Sequence, residues 1–208
     1  MTIIVHHLEN SRSQRVLWLL EELELPYEVR RYARNPKTML APEALKRLHP
    51  LGKSPMIEDD GRILVETGAI VEYLVAKGDG RFVAPAHRDA ALRYRQFLHY
   101  AEGSLMPPLF VLLVLGRVPL FGRTAMKRFQ PMVDVHLDYV ENVLATQPWF
   151  AGDTISAADI MMSFPLEAAR SRAGLDASRP ATIAWLDRIH ARPAYQAALA
   201  QGGPYAYA

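Results

Sequence analysis

The chain has 208 residues, of which 50% are apolar and 22% are charged. This is a globular composition, long enough for one large or two small domains, and it excludes disordered and collagen-like classes. The formal net charge of +2 is near balance, and acidic and basic residues alternate along the chain. The chain therefore has no basic stripe of the kind that indicates a nucleic-acid partner.

The first part of the chain alternates between strand and helix signals. The predicted elements are a strand over 2–7, a helix that begins near Asn10 or Ser11 and ends before Pro26, a strand over 27–32, a short helix over 42–46, strands over 56–58 and 62–65, and a helix over 66–77. The turn Asp59-Asp60-Gly61 predicts a hairpin. The order β-α-β-α-β-β-α predicts a mixed α/β sheet domain over 1–78, with a parallel first strand pair.

No strand signal follows the composition break at residues 78–85. Leu92, Phe97 and Leu105 predict one long helix, and a long apolar stripe over 126–144 predicts another. We therefore expect an all-helical (all-α) domain over 87–208, with a frayed tail over 202–208.

The sharpest folding signal in the helical part is Ile155-Ser156-Ala157-Ala158-Asp159-Ile160. Ser156 and Asp159 can each accept a hydrogen bond from the backbone N–H of the other, which predicts a capping box at a helix start. Ile155 and Ile160 are placed to pack as a hydrophobic staple. We interpret this motif as structural.

The chain contains no cysteine. It therefore has no disulfide, no thiolate metal site and no cysteine nucleophile of its own, and thiol chemistry must use the thiol of another molecule. His6 and His7 stand without other metal-ligating residues, so we expect no metal site and interpret them as strand residues.

Two observations predict a cytoplasmic protein that does not enter a membrane. Residues 1–6 have no basic leader before their apolar run and no cleavage site of small residues, so secretion is not expected. The most apolar segment, residues 105–115, contains Pro107 and Pro108 and is too short and too broken to span a bilayer.

Polar groups are concentrated at two chain breaks, residues 51–58 and 65–70. The order of loop, proline, strand, turn, strand and helix predicts that these breaks lie side by side. Such an arrangement suits a small zwitterionic peptide.

Three motifs in this order and spacing resemble the cytosolic glutathione transferase family: Leu51-Gly52-Lys53-Ser54-Pro55, Glu66-Thr67-Gly68-Ala69-Ile70 and residues 150–160. The segment Ser11-Arg12-Ser13-Gln14-Arg15-Val16-Leu17 is similar to the serine-type and bacterial members. The resemblance implies a thioredoxin-like first domain, an all-helical second domain, glutathione as cosubstrate and a homodimer.

The resemblance also implies a glutathione site. Glu66 offers an anion to the γ-glutamyl ammonium group, and Thr67 at a helix start offers an N–H and a hydroxyl to the neighbouring carboxylate. Pro55, if cis as in the family, exposes the backbone of Ser54 to the cysteinyl part of the peptide. Lys53 can reach the glycyl carboxylate.

The thiolate of glutathione needs a hydrogen-bond donor near a helix N-terminus. Ser11 lies between the first strand and the first helix, so we assign it this catalytic role. Asn10 is the second candidate, because alignment through this segment shifts by one residue among serine-type members. Ser13 is the third, and it can simply cap the helix.

Thiol-exchanging relatives carry a cysteine where this chain has Asn10-Ser11-Arg12, so dehydroascorbate reduction and deglutathionylation are not expected. We expect conjugation of glutathione to small hydrophobic electrophiles. Met106, Phe110 and Leu113 are candidates for the electrophile pocket, although this spacing is more typical of core residues. The alternatives are a glutathione-dependent peroxidase, an isomerase, and a non-catalytic glutathione-binding protein; the Ser-Ser-Cys pattern of the isomerases is absent.

Overall fold

The computed structural model describes residues 2–207, which form two compact units. The first unit combines residues 2–83 with His190–Ala206, and the second combines Ala84–Ile189 with Tyr207. The strands are β1 (Ile3–Leu8), β2 (Tyr27–Tyr32), β3 (Met56–Asp59) and β4 (Arg62–Val65). The helices are α1 (Ser13–Leu23), α2 (Glu43–Leu48), α3 (Thr67–Lys77), α4 (Arg88–Tyr100), α5 (Met106–Leu115), α6 (Gly122–Leu144), α7 (Ala157–Arg172), α8 (Pro180–His190) and α9 (Pro193–Gly202).

The first unit is built on a four-stranded sheet with the strand order β2-β1-β3-β4. β1 and β2 are parallel, and β3 runs antiparallel to both β1 and β4. The β3–β4 hairpin turns at Asp60 and Gly61, whose φ values of 50° and 72° match the turn that joins tightly paired strands. The predicted order β-α-β-α-β-β-α and the parallel first pair are confirmed.

Helix α9 packs against α1 within the first unit. Trp18 meets Tyr195 edge to face, with ring centroids 5.4 Å apart. Gly202 allows close approach, because a Cβ at this position would lie only 3.1 Å from Leu17 Cδ1. The division therefore differs from the predicted helical domain over 87–208, since residues 190–206 pack with the sheet-bearing unit.

In the second unit, α4 continues into α5 through a five-residue π-helical turn, Ala101–Leu105. Pro107 and Pro108 follow directly after this π-helical turn, and the helix continues through them to Leu115. The continuous helix Arg88–Leu115 is long and apolar enough to cross a membrane by length and composition, contrary to the predicted break. One such helix is weak evidence for a membrane segment, because core helices meet the same criterion.

The core of the second unit lies between its long helices. Its side chains are at most 1% exposed at Phe97, Leu105, Leu109, Val133, Leu137, Ile160 and Trp185. The predicted capping box is present at the start of α7, where Ser156 and Asp159 bond reciprocally to backbone N–H groups. Leu92, which was expected on the same apolar helix face, is instead 52% exposed.

Candidate functional site

The site residues meet at one edge of the sheet because of the strand register. In the antiparallel pairs, His6 lies opposite Met56, and Met56 lies opposite Val65. The end of β1, the residues before β3 and the residues after β4 therefore emerge together. The two polar chain breaks that the sequence placed side by side belong to this edge.

Ser54 joins the loop before β3 to the end of β1. Its hydroxyl donates to the carbonyl oxygen of His6 at 3.0 Å and accepts the N–H of Leu8 at 3.3 Å. The Ser54–Pro55 peptide bond is cis, as expected. Within residues 2–207, the backbone N–H and C=O of Ser54 take part in no recorded hydrogen bond, so they are available to an extended peptide.

A cluster of hydroxyl groups lies at the start of α1. Ser11 Oγ lies 2.7 Å from Ser13 Oγ and 3.4 Å from Ser54 Oγ. Ser11 Oγ also accepts the N–H of Ser13, the first residue of α1, at 3.2 Å, so the Ser11 hydroxyl contacts both the helix start and the loop before β3. A hydroxyl at a helix N-terminus is placed to donate to an anion, and the positive end of the helix dipole supports that anion.

His7 extends this cluster into the sheet. Its Nδ1 lies 2.9 Å from Ser13 Oγ, and its side chain is buried. Burial and the nearby Arg31 lower the pKa of His7 to about 4, so the ring is neutral at physiological pH. From the sequence, His7 is interpreted only as a strand residue, because no spacing shows that a strand residue bonds to the first residue of the next helix.

Asn10 accepts hydrogen bonds through both its side chain and its backbone. Its φ of 49° is left-handed, a conformation that asparagine tolerates better than most residues. Its Oδ1 accepts the N–H of Ala206 at 2.7 Å, and its backbone oxygen accepts a bond from Arg34 at 3.3 Å. The predicted fraying of residues 202–208 is therefore wrong at Ala206, while residue 208 lies outside the described residues.

Glu66 and Thr67 form the start of α3. Glu66 is exposed and has φ 70° and ψ 119°, which is unusual for a residue with a side chain. Such a conformation costs about 1–3 kcal/mol and persists where the surrounding structure imposes it, often at binding sites. Thr67, the first helical residue, is buried, so its N–H and hydroxyl are fixed beside the exposed carboxylate.

Lys53 is exposed in the loop that leads to Ser54. Only glycine fits at position 52, immediately before Lys53. Gly52 has φ 55°, and a Cβ there would lie 2.5 Å from Lys46 Cγ. Glycine thus sets the path of the chain that carries Lys53 and Ser54.

The predicted pocket residues all lie on the second unit, in α5, and have different environments. Met106 is 4% exposed and belongs to the core, as the spacing allowed. Leu113 is half-buried, and Phe110 is 56% exposed. Across residues 2–207 no group of three or more histidine, aspartate or glutamate side chains is arranged to hold a metal ion.

Comparison with known proteins gives the family. The models of the glutathione S-transferase N-terminal and C-terminal domains match residues 11–77 and 108–193. The chain is 40% identical over 183 residues to Glutathione S-transferase 3 of Schizosaccharomyces pombe, and the alignment covers 81% of this chain and 74% of the relative. It is 32% identical over 212 residues to the Disulfide-bond oxidoreductase YfcG of Escherichia coli, covering 95% and 94%.

A solved structure agrees with these matches. The crystal structure of a glutathione S-transferase from Actinobacillus pleuropneumoniae has a TM-score of 0.85 and 32% identity, and the alignment covers 97% of this chain and 93% of that one. The sheet with its cis-proline loop is thus the thioredoxin-like domain of that fold, followed by a helical domain. On these matches, the chain belongs to the glutathione S-transferase family.

Proposed function

We propose that this protein activates the thiol of glutathione and transfers the thiolate to small hydrophobic electrophiles. The observation that carries the proposal is the position of the Ser11 hydroxyl, at the start of α1 and 3.4 Å from the Ser54 hydroxyl. A peptide that pairs with the backbone of Ser54 would bring its own cysteine near Ser11. The S. pombe relative, which is named a glutathione S-transferase, supports the same reaction.

The energetic requirement is modest. A cysteine thiol has a reference pKa of about 8.5, and lowering it by about two units requires roughly 2.7 kcal/mol of differential stabilisation of the thiolate. A hydrogen bond to a charged group contributes about 1.5–3 kcal/mol, and a helix N-terminus contributes about 0.3–1 kcal/mol. The Ser11 hydroxyl and the N-terminus of α1 together are therefore sufficient.

The rest of the peptide is bound through its charges. Glu66 pairs with the γ-glutamyl ammonium group, while the N–H and hydroxyl of Thr67 bind the adjacent carboxylate. Pro55 holds the turn that presents Ser54, and Lys53 pairs with the glycyl carboxylate. The exposed carboxylate of Glu66 and the exposed ammonium group of Lys53 support this division.

The electrophile is bound by the helical domain. Of the candidates in α5, Phe110 and Leu113 have apolar surface available for it, and Met106 supports them from the core. Attack by the thiolate on an electrophilic carbon forms a thioether and releases the leaving group, so the protein itself remains unmodified.

The test uses two matched variants, Ser11→Ala and Asn10→Ala, with an aryl halide as the electrophile. If Ser11 is the donor, Ser11→Ala raises the pKa of bound glutathione, measured from the ultraviolet absorbance of the thiolate, and leaves glutathione affinity within a few-fold. Loss of the thiolate signal in Asn10→Ala alone would assign the donor to Asn10. Wild-type protein that binds glutathione without any turnover would overturn the proposal.

Reduction of small disulfides is a second candidate, favoured by the E. coli relative that is named a disulfide-bond oxidoreductase. Because this chain has no cysteine, the mixed disulfide would form between bound glutathione and the substrate. A second glutathione would then release the product and leave oxidised glutathione. Turnover of a model disulfide that exceeds aryl halide conjugation would favour this candidate.

We propose that the protein is a homodimer in solution. Five large apolar side chains of α4 and α6 are exposed within the second unit: Leu92 (52%), Phe129 (38%), Met132 (56%), Val135 (68%) and Tyr139 (37%). Met132, Val135 and Tyr139 lie on one face of α6 by their spacing, and an exposed apolar face is typical of a protein interaction surface. Light scattering should give a dimer mass for the wild type, and Val135→Glu should give a monomer; a monomeric wild type would contradict the proposal.

We also propose that the protein acts in the cytoplasm. The support is chemical: the reaction consumes reduced glutathione, and the cytoplasm keeps thiols reduced. Immunoblotting of fractionated cells should place the protein in the soluble fraction, and recovery in another compartment would contradict this.

A further inference from the structure

His7, Ser13 and Ser11 form one buried chain of hydrogen bonds that ends where the proposed function places the glutathione sulfur. Ser13 Oγ lies 2.9 Å from His7 Nδ1 and 2.7 Å from Ser11 Oγ. The three residues are 3%, 0% and 5% exposed. Bulk water is therefore unable to replace one of these bonds without a local opening.

The number of hydrogens available limits how this chain can be oriented. Each serine hydroxyl has one hydrogen, and each neutral histidine ring has one. If the Ser11 hydrogen points to the thiolate, the 2.7 Å bond between the two serines must use the Ser13 hydrogen, in preference to the Leu8 carbonyl oxygen at 3.4 Å. Ser13 Oγ can then only accept from His7, and this requires the ring hydrogen to be on Nδ1.

We propose that His7 is a positioning residue that, in its neutral Nδ1–H form, turns the Ser13 hydroxyl toward Ser11 and so leaves the Ser11 hydrogen for the glutathione thiolate. The proposal rests on the proposed function of Ser11. In the opposite tautomer, Ser13 donates to His7 and the Ser11 hydrogen is drawn to Ser13, away from the sulfur. Aligned hydroxyl groups also polarise one another, which strengthens the last bond.

The ring has one further polar neighbour. Gly202 lies against it, since a Cβ there would be 3.3 Å from His7 Cε1 and 2.8 Å from Gln14 Oε1. The Gln14 carboxamide is therefore a neighbour of the ring, and its polar atoms are buried without a hydrogen-bond partner. Its NH₂ group can donate to a bare Nε2 and its oxygen can accept from a protonated Nε2, so Gln14 can serve either tautomer, and the preference for Nδ1–H comes from the chain of hydroxyl groups.

The charged group that faces the ring is Arg31, which pairs with His7 across β1 and β2. Arg31 disfavours a second proton on the ring, in addition to the effect of burial. The ring therefore carries a single hydrogen at neutral pH. The nitrogen that holds this hydrogen determines the direction in which the Ser13 and Ser11 hydroxyl groups donate.

Nitrogen NMR of the wild-type protein with glutathione tests the tautomer directly. The expected result is a protonated Nδ1 and an unprotonated Nε2 for His7 in the complex. A ring that carries its hydrogen on Nε2 in the complex would overturn the proposal.

Variants test the consequence for the thiol. Ser13→Ala removes the link, and His7→Leu removes the donor. With glutathione saturating, each should raise by about one unit the pKa in the pH profile of kcat/KM for the electrophile. KM for glutathione should stay within about twofold, and His7→Asn, which keeps a donor near the position of Nδ1, should recover most of the shift. The matched control is Tyr32→Phe, which removes the hydroxyl bonded to Nδ1 of His6 at 3.0 Å and should leave the profile unchanged.

The outcomes separate this inference from the function on which it rests. An unshifted profile in Ser11→Ala would contradict the role of Ser11 itself. A shifted profile in Ser11→Ala with unshifted profiles in Ser13→Ala and His7→Leu would overturn the role of His7 alone. If His7→Leu does not fold, Ser13→Ala and the NMR measurement still decide.

Discussion

Ser54 Oγ lies 3.4 Å from Ser11 Oγ, although 43 residues separate them in the chain. Ser54 reaches this position because its hydroxyl also bonds to the backbone of β1, at His6 and Leu8. The edge that we propose binds the peptide and the helix start that we propose activates the thiol are therefore fixed to the same strand end. A ligand that pairs with one of them is already placed near the other.

Replacing Glu66 should weaken glutathione binding more than it affects chemistry. Glu66→Gln keeps the shape but removes the anion, and a charge-assisted hydrogen bond contributes about 1.5–3 kcal/mol, so Kd should rise at least about tenfold. Calorimetric titration with glutathione measures this. Glu72→Gln, an equal charge change at an exposed position of α3, is the control. Equal affinities in the wild type and Glu66→Gln would contradict the charge pairing.

Asp59 should make the fold sensitive to acid. Its carboxylate accepts bonds from Lys77 at 2.5 Å and Tyr73 at 2.6 Å, and these bonds lower its pKa below the usual 3.8. Because the folded pKa is the lower one, the stabilisation is present above pH ~4 and is lost as pH falls through the folded pKa.

Urea unfolding from pH 6 down to pH 2 should therefore show a shallower acid slope in Asp59→Asn than in the wild type. At pH 6, the variant should lose about 1–2 kcal/mol of unfolding free energy, an amount reduced by the solvent exposure of Lys77. Asp60→Asn, at the neighbouring exposed position, should keep the wild-type slope. Identical slopes in all three proteins would count against this role of Asp59.

Asp159 should be the most sensitive polar position of the second unit. One of its oxygens accepts the N–H of Phe150 at 3.1 Å and Trp185 Nε1 at 3.3 Å; the other accepts the N–H and hydroxyl of Ser156 at 2.9 and 3.1 Å. Asp159→Asn turns an NH₂ group toward one pair of donors, so chemical denaturation should show a loss of about 3 kcal/mol.

Two control variants show whether the stability loss of Asp159→Asn exceeds that of losing the helix cap. Ser156→Ala should lose only about 1 kcal/mol, the usual contribution of a capping side chain. Asp153→Asn, exposed just before the motif, should behave as the wild type. A loss in Asp159→Asn no larger than in Ser156→Ala would show that the capping box alone accounts for the position.

Ala206 should influence the glutathione site through Asn10. Ala206→Pro removes the N–H that donates to Asn10 Oδ1 without changing either side chain of the proposed site. Loss of one neutral hydrogen bond corresponds to about a two- to tenfold effect, expected here as a rise in KM for glutathione. Ala206→Gly keeps the donor and should be unaffected. An effect of Asn10→Ala that is absent in Ala206→Pro would show that this bond does not position the carboxamide.

The elements of the first unit could be predicted because their signals are local. Proline and glycine mark the ends of α1 and the β3–β4 turn, and Asp60 and Gly61 adopt the positive φ values that such a turn requires. The two chain breaks around Pro55 and Glu66 could also be predicted to meet, since the hairpin between them fixes their register.

Long-range placement could not be predicted in the same way. The apolar pattern of α9 shows that one of its faces is buried, but it does not show which element covers that face. The bonds from Ser13 to His7 and from Ala206 to Asn10 depend on how strand ends, helix starts and the tail are oriented, and no spacing in the sequence reports that orientation. Similarly, the spacing of Met106, Phe110 and Leu113 fits core residues as well as residues that line a pocket, so their exposure could not be predicted.

The packing of α9 on α1 has a consequence for biosynthesis. A ribosome releases the sheet and α1 well before α9, the helix that covers Leu17 and Trp18, because residues 84–189 of the second unit are made in between. Until α9 has been translated, the nascent first unit exposes an apolar surface to which chaperones that act on nascent chains can bind. A fragment that stops at residue 83 would retain that exposed surface permanently, so separate production of this unit calls for a linked copy of residues 190–206.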